Sequence, residues 1–389
     1  MPTYPTYKLS EIARSTKGKK PKSVSKEKTD GFEIPYVDIK AFEKGIIDNY
    51  TDGENCTFCK PDDVLIVWDG ARCGFVGRGV EGAIGSTLVK ISSEKYTNDF
   101  LFYFLQSKYK VLNSNPRGVG IPHVEPNLLW NFEIPDVDKT TQQAIVARIE
   151  ALFAELDKAV QHLRTAQKQI KTYRQAVLNH WLNNDDGKWE MVKLGEVIEK
   201  PTYGTSKKCD YDIVGTGVLR IPNIGNGYII DDDLKFAVFS DEEKEKYALK
   251  EGDLLTIRSN GSVDLVGKCA LISSKEEKYL FAGYLIRLRP FPEKVNSKFL
   301  TLTLESHNLR IQIEDKAKST SGVNNINSVE LQNLIIPLPP LAEQQHIVVE
   351  IERRLSQTSA SSVCIENALR QAEALRQSIL KKAFSGELL

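Results

Sequence analysis

The chain has 389 residues, of which 41% are hydrophobic and 27% charged, and this balance is typical of a soluble globular protein with more than one domain. Its 52 basic and 52 acidic residues cancel, so net charge neither supports nor excludes a nucleic-acid partner. We find no run of 18 apolar residues, no apolar leader and no pairing pattern among the six cysteines. We therefore expect a cytoplasmic protein with free thiols.

The first 133 residues predict a domain of short strands with one amphipathic helix. A Lys-Leu-x-Glu step at 8–11 is followed by a proline-containing extended segment at 34–48, a β-branched strand at 60–70 and a Val-Gly-Arg step at 76–78. The helix is expected at 100–107, and a polar loop at 113–126 ends the region. Short strands divided by Gly, Asn and Asp turns favour a mixed α/β fold.

Residues 134–178 predict a long helix. Ile134-Pro135 ends the preceding strand, and Thr140 with Gln143 has the spacing of a capping box. Apolar residues then recur every three or four positions over nearly five heptads, which predicts one strand of a coiled coil. The residues of this stripe are Ile145, Ile149, Leu152, Leu156, Leu163, Ile170 and Val177.

The second half of the chain repeats this order of elements. Residues 188–335 carry a Lys-Leu-x-Glu step at 193–196, a proline segment at 219–231, a strand at 250–261, a Val-Gly-Lys step at 266–268, a helix at 299–306 and a polar loop at 316–328. A long helix follows Pro339-Pro340, and the small polar residues at 356–362 predict looser packing in its middle. Its predicted stripe is Ile347, Ile351, Ile365, Leu375 and Ile379.

The two long helices align without a gap at a constant offset of 202 residues. This offset places Ile134-Pro135 on Ile336-Pro337 and Gln142-Gln143 on Gln344-Gln345. A duplication of this length predicts an α/β (α+β) protein in which two similar domains are separated by a long antiparallel two-helix coiled coil with pseudo-two-fold symmetry. The expected segments are a domain at 1–135, a helix at 136–183, a domain at 184–337 and a helix at 338–389. A helical hairpin that serves only as the core of a larger globule is the alternative.

No catalytic, cofactor-binding or metal-binding residue is predicted. The chain lacks a GxxxxGK[ST] phosphate loop and the NPPY or DPPY tetrapeptide of adenine methyltransferases. Cys56 and Cys59 form a lone pair without a second pair at zinc-ligand spacing, and the Asp62 and Glu276 carboxylates fall in different domains. We therefore expect a protein that is not itself an enzyme.

The polar loops carry side chains suited to DNA. Lysines neutralise phosphates, whereas arginine can form a bidentate contact with guanine and asparagine with adenine. A solvated surface charge is the alternative for any single residue. The candidates are Lys17, Lys19, Lys20, Lys22, Arg72, Arg78, Arg117, His123, Arg258, Asn260, Lys268, Lys316, Lys318, Asn324 and Asn325.

Two passages resemble the specificity subunit of type I restriction–modification enzymes. They are IPLPPLAEQQHIV at 336–348, preceded by STSGVNNINSVELQNL at 319–334, and the related IPDVDKTTQQAIV at 134–146 after GVGIPHVEPNLLWNF at 118–132. The first copy departs from the motif at residues 136–138, and Thr141 stands where Glu343 stands in the second.

The resemblance implies a non-catalytic subunit that binds double-stranded DNA. Each domain would read one half of a bipartite asymmetric site, while the helices would set the unread spacer and hold two methyltransferase and two restriction subunits. S-adenosylmethionine, ATP and magnesium would belong to those partners. A scaffold with two peptide-binding modules is the alternative, which the salt dependence of DNA binding would distinguish.

Overall fold

The computed structural model describes residues 4–118, 120–184, 187–317 and 322–388. The chain divides into two compact units. One unit holds the chain up to Arg164 together with the stretch from Glu366 onward, and the other is Thr165–Ile365. Each unit therefore contains one variable region and a part of each long helix.

The elements of the first variable region begin with short strands and end in the first long helix. In chain order they are β1 Thr6–Lys8, α1 Leu9–Ile12, β2 Arg14–Lys17, β3 Ile34–Val37, α2 Ile39–Lys44, β4 Tyr50–Thr51, β5 Phe58–Cys59, β6 Val64–Val67, β7 Val76–Arg78, β8 Gly82–Ile84, β9 Leu88–Ser92, α3 Asn98–Ser114, α4 Pro126–Trp130, β10 Glu133–Pro135 and α5 Lys139–Leu182.

Two four-stranded sheets form the first domain. One has the order β2-β9-β6-β7 with antiparallel pairs, and the other has the order β4-β3-β8-β5 with β3 and β8 parallel. All four residues of β6 are buried because both of its faces are covered. Val64 and Ile66 pack in a cluster with Phe100 of α3, whereas Leu65 packs in a cluster with Ile84 of the second sheet.

The second variable region follows the same plan. Its elements are β11 Glu190–Lys193, β12 Thr202–Tyr203, β13 Thr216–Leu219, β14 Lys235–Ala237, α6 Asp241–Tyr247, β15 Leu254–Ile257, β16 Ser259–Asn260, β17 Cys269–Leu271, β18 Leu280–Phe281, β19 Leu285–Leu288, α7 Ser297–Glu305, α8 His307–Lys316, β20 Asn324–Asn325, α9 Ser328–Gln332, β21 Ile335–Leu338 and α10 Leu341–Ser385.

The pairing of strands repeats as well. The order β12-β19-β15-β17 matches β2-β9-β6-β7, and the parallel pair β13 and β18 matches β3 and β8. In each unit the strand before the long helix pairs with the first strand of the domain, β10 with β1 and β21 with β11. The predicted mixed α/β fold in two copies, each with a long helix, is confirmed.

The repeated glutamine explains part of the duplicated motif. Gln142 and Gln344 are fully buried in the first turns of α5 and α10. The Gln344 side-chain oxygen accepts a hydrogen bond from the Asn296 backbone N–H at 2.8 Å, and its amide donates to the carbonyls of Lys294 at 3.1 Å and Pro339 at 2.8 Å.

Gln142 makes the same three bonds in the other unit. Its oxygen accepts from the Thr97 backbone N–H at 2.9 Å, and its amide donates to the carbonyls of Lys95 at 3.3 Å and Val137 at 3.0 Å. We call each set the glutamine clamp. It fastens the start of a long helix to the loop before α3 or α7 through main-chain groups that would otherwise be buried without partners.

The start of α5 differs from the expectation. Asp138, rather than Thr140, supplies the cap, because its side chain accepts a hydrogen bond from the Thr141 backbone N–H at 2.7 Å. This hydrogen bond lowers the pKa of the Asp138 carboxyl. A carboxylate suits this place since the N-terminus of a helix carries partial positive charge.

Within each unit the two helix segments pack in antiparallel fashion. In the first unit, the Arg376 guanidinium pairs with Asp157 and lies 4.4 Å from the Phe153 ring, while Ile379 is buried in the same cluster as Ile149. In the second unit, the Trp181 ring lies 4.8 Å from the Arg354 guanidinium. The coiled-coil class of the prediction is thereby confirmed within the units.

Most residues of the predicted stripe are buried or half-buried, with one exception. Leu375 is 50% exposed and lies outside the stripe, whereas Ala372 and Ile379 are buried. A straight helix has 3.6 residues per turn, so a strict heptad drifts off the buried face, and Arg376 occupies the position facing the first helix instead.

Candidate nucleic-acid interface

A basic cleft of about 950 Å³ opens at one edge of the second domain. It lies where the loop after β12, the end of β13, the end of β15, the β18–β19 turn and β20 converge. Five cations line it, and among the described lining residues Glu330 is the one acid. Glu330 accepts a hydrogen bond from the Asn327 backbone N–H at 2.8 Å as part of the cap of α9. We call this space the basic cleft, and its cations are Lys207, Arg220, Lys235, Arg258 and Lys316.

Arg258 lies at the end of β15 and is held on two sides. Its Nε donates to Oδ1 of Asn325 at 3.1 Å, and its guanidinium carbon lies 4.8 Å from the Tyr203 ring centroid. The Tyr203 hydroxyl in turn accepts a hydrogen bond from the Ser328 backbone N–H at 2.9 Å. A stacked and hydrogen-bonded guanidinium loses little further freedom when it binds a ligand.

Arg220 and Lys207 are anchored by acids outside the cleft. Arg220 donates to Asp233 at 2.9 Å, and the Tyr211 hydroxyl donates to the same carboxylate at 2.7 Å. The Tyr211 hydrogen bond and the Arg220 guanidinium lower the pKa of Asp233. Lys207 bonds to Glu243 at 2.7 Å, whereas Lys235 lies 4.7 Å from the Tyr211 ring. The acids orient two of the cations, whereas Lys235 lies beside an aromatic ring and also lowers the pKa of Asp233 through its charge.

The same positions can be identified in the first domain from its hydrogen bonds. The backbone N–H of Val124 donates to the Trp68 carbonyl at 2.9 Å, as that of Ile326 donates to the Arg258 carbonyl at 2.9 Å. Trp68 therefore corresponds to Arg258. The neighbouring bridge of Asp69 with His123 corresponds to that of Ser259 with Asn325.

The first domain places a different set of side chains there. Asp69 pairs with Nδ1 of His123 at 2.6 Å and with Lys17 at 3.5 Å, and Arg117 pairs with His123 through backbone hydrogen bonds of 2.9 Å. Exposed lysines follow in the loop after β2: Lys19, Lys20 and Lys22. Three of the predicted residues, Lys17, Arg117 and His123, therefore meet beside Asp69 in the first domain.

One glycine in each domain fixes where this loop leaves the sheet. A Cβ on Gly18 would lie 2.2 Å from the Gly85 carbonyl oxygen, and one on Gly204 would lie 2.3 Å from that of Ala282. The Gly18 backbone N–H donates to Leu88 and that of Gly204 to Leu285, so the two positions are equivalent. Backbone packed this closely has no room for any side chain.

Several predicted residues are engaged elsewhere. Arg72 pairs with Glu43 at 2.6 Å and lies over the Phe75 ring, and Arg78 pairs with Asp99. Burial lowers the pKa of Lys268, which is half-buried. These three residues lie outside the basic cleft and its counterpart.

The predicted asparagines are partly used by the fold. Asn260 accepts from the Ser262 backbone N–H at 2.9 Å, and Asn324 donates to the Gly261 carbonyl at 3.1 Å. Asn325 and Lys316 line the basic cleft. Lys318 lies outside the described residues. The assignment of any of these side chains to a DNA contact stays a prediction.

Sequence reasoning missed Lys207, Arg220 and Lys235. A signal was available for the first, because Lys207-Lys208 follows Gly204 as Lys19-Lys20 follows Gly18. The other two follow or begin strands whose convergence is visible only in the fold.

The described residues contain neither a candidate metal site nor a helix that could cross a membrane. No group of three or more His, Cys, Asp or Glu side chains could hold a metal ion there. Within the same residues, no helix has the length and apolar character needed to cross a membrane.

Comparison with known proteins identifies the class. The family model for the type I restriction modification DNA specificity domain matches residues 1–163 and 186–371. The chain therefore belongs to this family of duplicated DNA-specificity proteins, which are the non-catalytic part of type I restriction–modification systems.

Individual relatives agree with this assignment. The chain is 28% identical over 348 residues to the type I restriction enzyme StySPI specificity subunit of Salmonella potsdam, covering 84% of this chain and 75% of that protein. It is 27% identical over 356 residues to the MjaVIII specificity subunit of Methanocaldococcus jannaschii, covering 87% and 83%.

A solved structure shares the fold. It is described as "Structural basis underlying complex assembly and conformational transition of the type I R-M system", and it aligns with a TM-score of 0.67 and 22% identity over 100% of this chain and 99% of that chain.

Proposed function

We propose that this chain recognises a bipartite asymmetric DNA site, with one half-site bound by each domain. The basic cleft carries the proposal, since five cations converge there with one acid among the described lining residues. The equivalent edge of the first domain holds Lys17, Arg117 and His123. Two domains that share a fold but carry different side chains at the same edge are suited to two half-sites of different sequence.

We further propose the four segments expected from the sequence, with the helices at 136–183 and 338–389 as the spacer. α5 has 44 residues and α10 has 45, so each is on the order of 65 Å long. DNA rises 3.4 Å per base pair, so a stiff separator would set the number of unread base pairs. In this proposal the helices also hold two methyltransferase subunits, with two restriction subunits joining them, because a pseudo-symmetric chain presents two similar faces to identical partners.

The site itself can be tested by selection. The full-length chain, with the methyltransferase subunits it is proposed to hold, is used to select from a library of random double-stranded DNA. We expect two short sequence blocks at a fixed distance, with an unread interval between them. The affinity should fall steeply with salt, because phosphate contacts release counterions. A single contiguous block, or binding without sequence preference, would contradict the bipartite site. DNA affinity without a steep salt dependence would favour the peptide-binding scaffold.

The spacer is tested separately. Seven residues inserted after Ala166 and after Ala368, which are 202 positions apart, lengthen each helix by roughly 10 Å, about three base pairs. The interval between the blocks should grow while both blocks keep their sequences. A changed block with an unchanged interval would show that the helices do not set the spacing.

A further inference from the structure

Arg258 differs from the other anchored cations of the basic cleft in what holds it, an amide and an aromatic ring, whereas Arg220 pairs with Asp233 and Lys207 with Glu243. Its Nε donates a hydrogen bond to Asn325, and its guanidinium lies beside the Tyr203 ring. The Tyr203 hydroxyl accepts a hydrogen bond from the backbone at the start of α9. Three elements, β12, β20 and α9, therefore fix one guanidinium. Among the described residues its two terminal nitrogens have no hydrogen-bond partner.

We propose that Arg258 reads a guanine in the half-site bound by the second domain. This inference rests on the proposed function. In the major groove guanine presents O6 and N7 as two adjacent acceptors, and a guanidinium offers a matching pair of N–H donors. Because the Nε side is occupied by Asn325, the terminal pair is the edge that remains for DNA.

A phosphate is the other acceptor that an arginine could bind, and the geometry favours the base. Phosphate contacts require charge and little orientation, and Lys235 and Lys316 line the same cleft with ammonium groups on long flexible side chains. A guanidinium already fixed in its plane gives a directional contact at low entropic cost. Asn325 is then a positioning residue, since it acts through Arg258.

The position of the first domain that is equivalent to Arg258 does not hold an arginine. Trp68 occupies the position of Arg258, and the next pair is Asp69 with His123 in place of Ser259 with Asn325. An indole cannot make the two-donor contact to guanine. The guanine requirement carried by this position is therefore confined to one half-site.

The experiment compares wild type with Arg258→Ala, Arg258→Lys, Asn325→Ala and Lys235→Ala in the full chain with its methyltransferase subunits. Each protein is used to select binding sites from random duplexes. Its affinity is then measured for the selected site and for variants of that site that carry each of the four base pairs at each position. Wild type should prefer one guanine in the second half-site by roughly ten- to hundredfold. Arg258→Ala should lose that preference and keep the preferences at the other positions and the salt slope, and Arg258→Lys should weaken it because an ammonium lacks the planar pair of donors. Asn325→Ala should weaken the same preference alone, and Lys235→Ala should weaken binding equally on all sequences.

The possible results separate this inference from the proposed function. A guanine preference that survives Arg258→Ala, or a second half-site without any required guanine, overturns the role of Arg258 while bipartite binding stands. Uniform weakening by Arg258→Ala, with a salt slope smaller by about one, identifies a phosphate contact and also overturns it. Failure of wild type to select any sequence refutes the proposed function itself. Thermal midpoints of all variants within a few degrees of wild type show that the fold is kept.

Discussion

The glutamine clamp makes a quantitative prediction about stability. Gln344→Leu keeps most of the side-chain volume but removes the amide, so the N–H of Asn296 and the carbonyls of Lys294 and Pro339 lose their partner in a fully buried place. A buried polar group without a partner costs about 1–3 kcal/mol, and the three groups share one site that can relax, so we expect about 3–5 kcal/mol. For a unit of this size that is a fall in Tm on the order of 10 °C.

The chain supplies its own matched control. Gln345 follows Gln344 directly but is exposed, so Gln345→Leu should change the free energy of unfolding by less than about 0.5 kcal/mol. Gln142→Leu and exposed Gln143→Leu form the equivalent pair in the first unit. The same ratio of effects is expected from both pairs, because the two clamps use equivalent main-chain groups.

Urea unfolding followed by tryptophan fluorescence can assign the loss to a unit. The four tryptophans are divided equally, with Trp68 and Trp130 in the first unit and Trp181 and Trp189 in the second. Replacing one pair by phenylalanine leaves reporters for the other unit. If Gln344→Leu proves no more costly than Gln345→Leu, the buried amide does not hold the helix to the domain and the reasoning fails.

Two more predictions concern the long helices. The hydrogen bond from Thr141 lowers the pKa of Asp138, so its contribution to stability is present above the unfolded pKa and is lost as the pH falls through the folded one. Asp138→Asn should therefore reduce the dependence of the urea midpoint on pH below about pH 4. Thr140→Ala should leave the plot of urea midpoint against pH unchanged. If only Thr140→Ala alters this plot, Thr140 is the cap, as expected from the sequence. Ile379→Ala should cost about 2–4 kcal/mol because the side chain is 7% exposed, whereas Leu375→Ala, at 50% exposed, should cost under about 0.5 kcal/mol in the same unfolding assay. If both substitutions lower the free energy of unfolding equally, Leu375 belongs to the buried stripe of the helix.

The duplicated architecture was readable from the sequence because its signal is long and local. An ungapped offset of 202 residues, two proline-ended strands and a stripe of apolar residues describe elements that form largely from their own neighbours. The same pattern pointed to the buried glutamines without giving their role. That role depends on Lys95 and Thr97, which lie 47 and 45 residues before Gln142.

The site was harder to predict because surface cations look alike in a sequence. Arg72 and Arg258 both follow a β-branched strand, yet one is paired with Glu43, 29 residues away, and the other is positioned by Asn325, 67 residues away. Local sequence cannot distinguish an arginine neutralised by a distant carboxylate from one oriented by a distant amide. Leu375 shows the same limit on a helix, since a strict heptad ignores the drift of an untwisted helix.

Gly18 and Gly204 impose a lasting restriction on how this protein can change. Each comes just before loop lysines, Lys19-Lys20 after Gly18 and Lys207-Lys208 after Gly204, and a single methyl group at either position would collide with a carbonyl oxygen. The loop sequence after each glycine can therefore change without moving the point at which the loop leaves the sheet. A new target preference could be acquired by exchanging residues a few positions downstream, while alanine at the root would displace the whole loop at once.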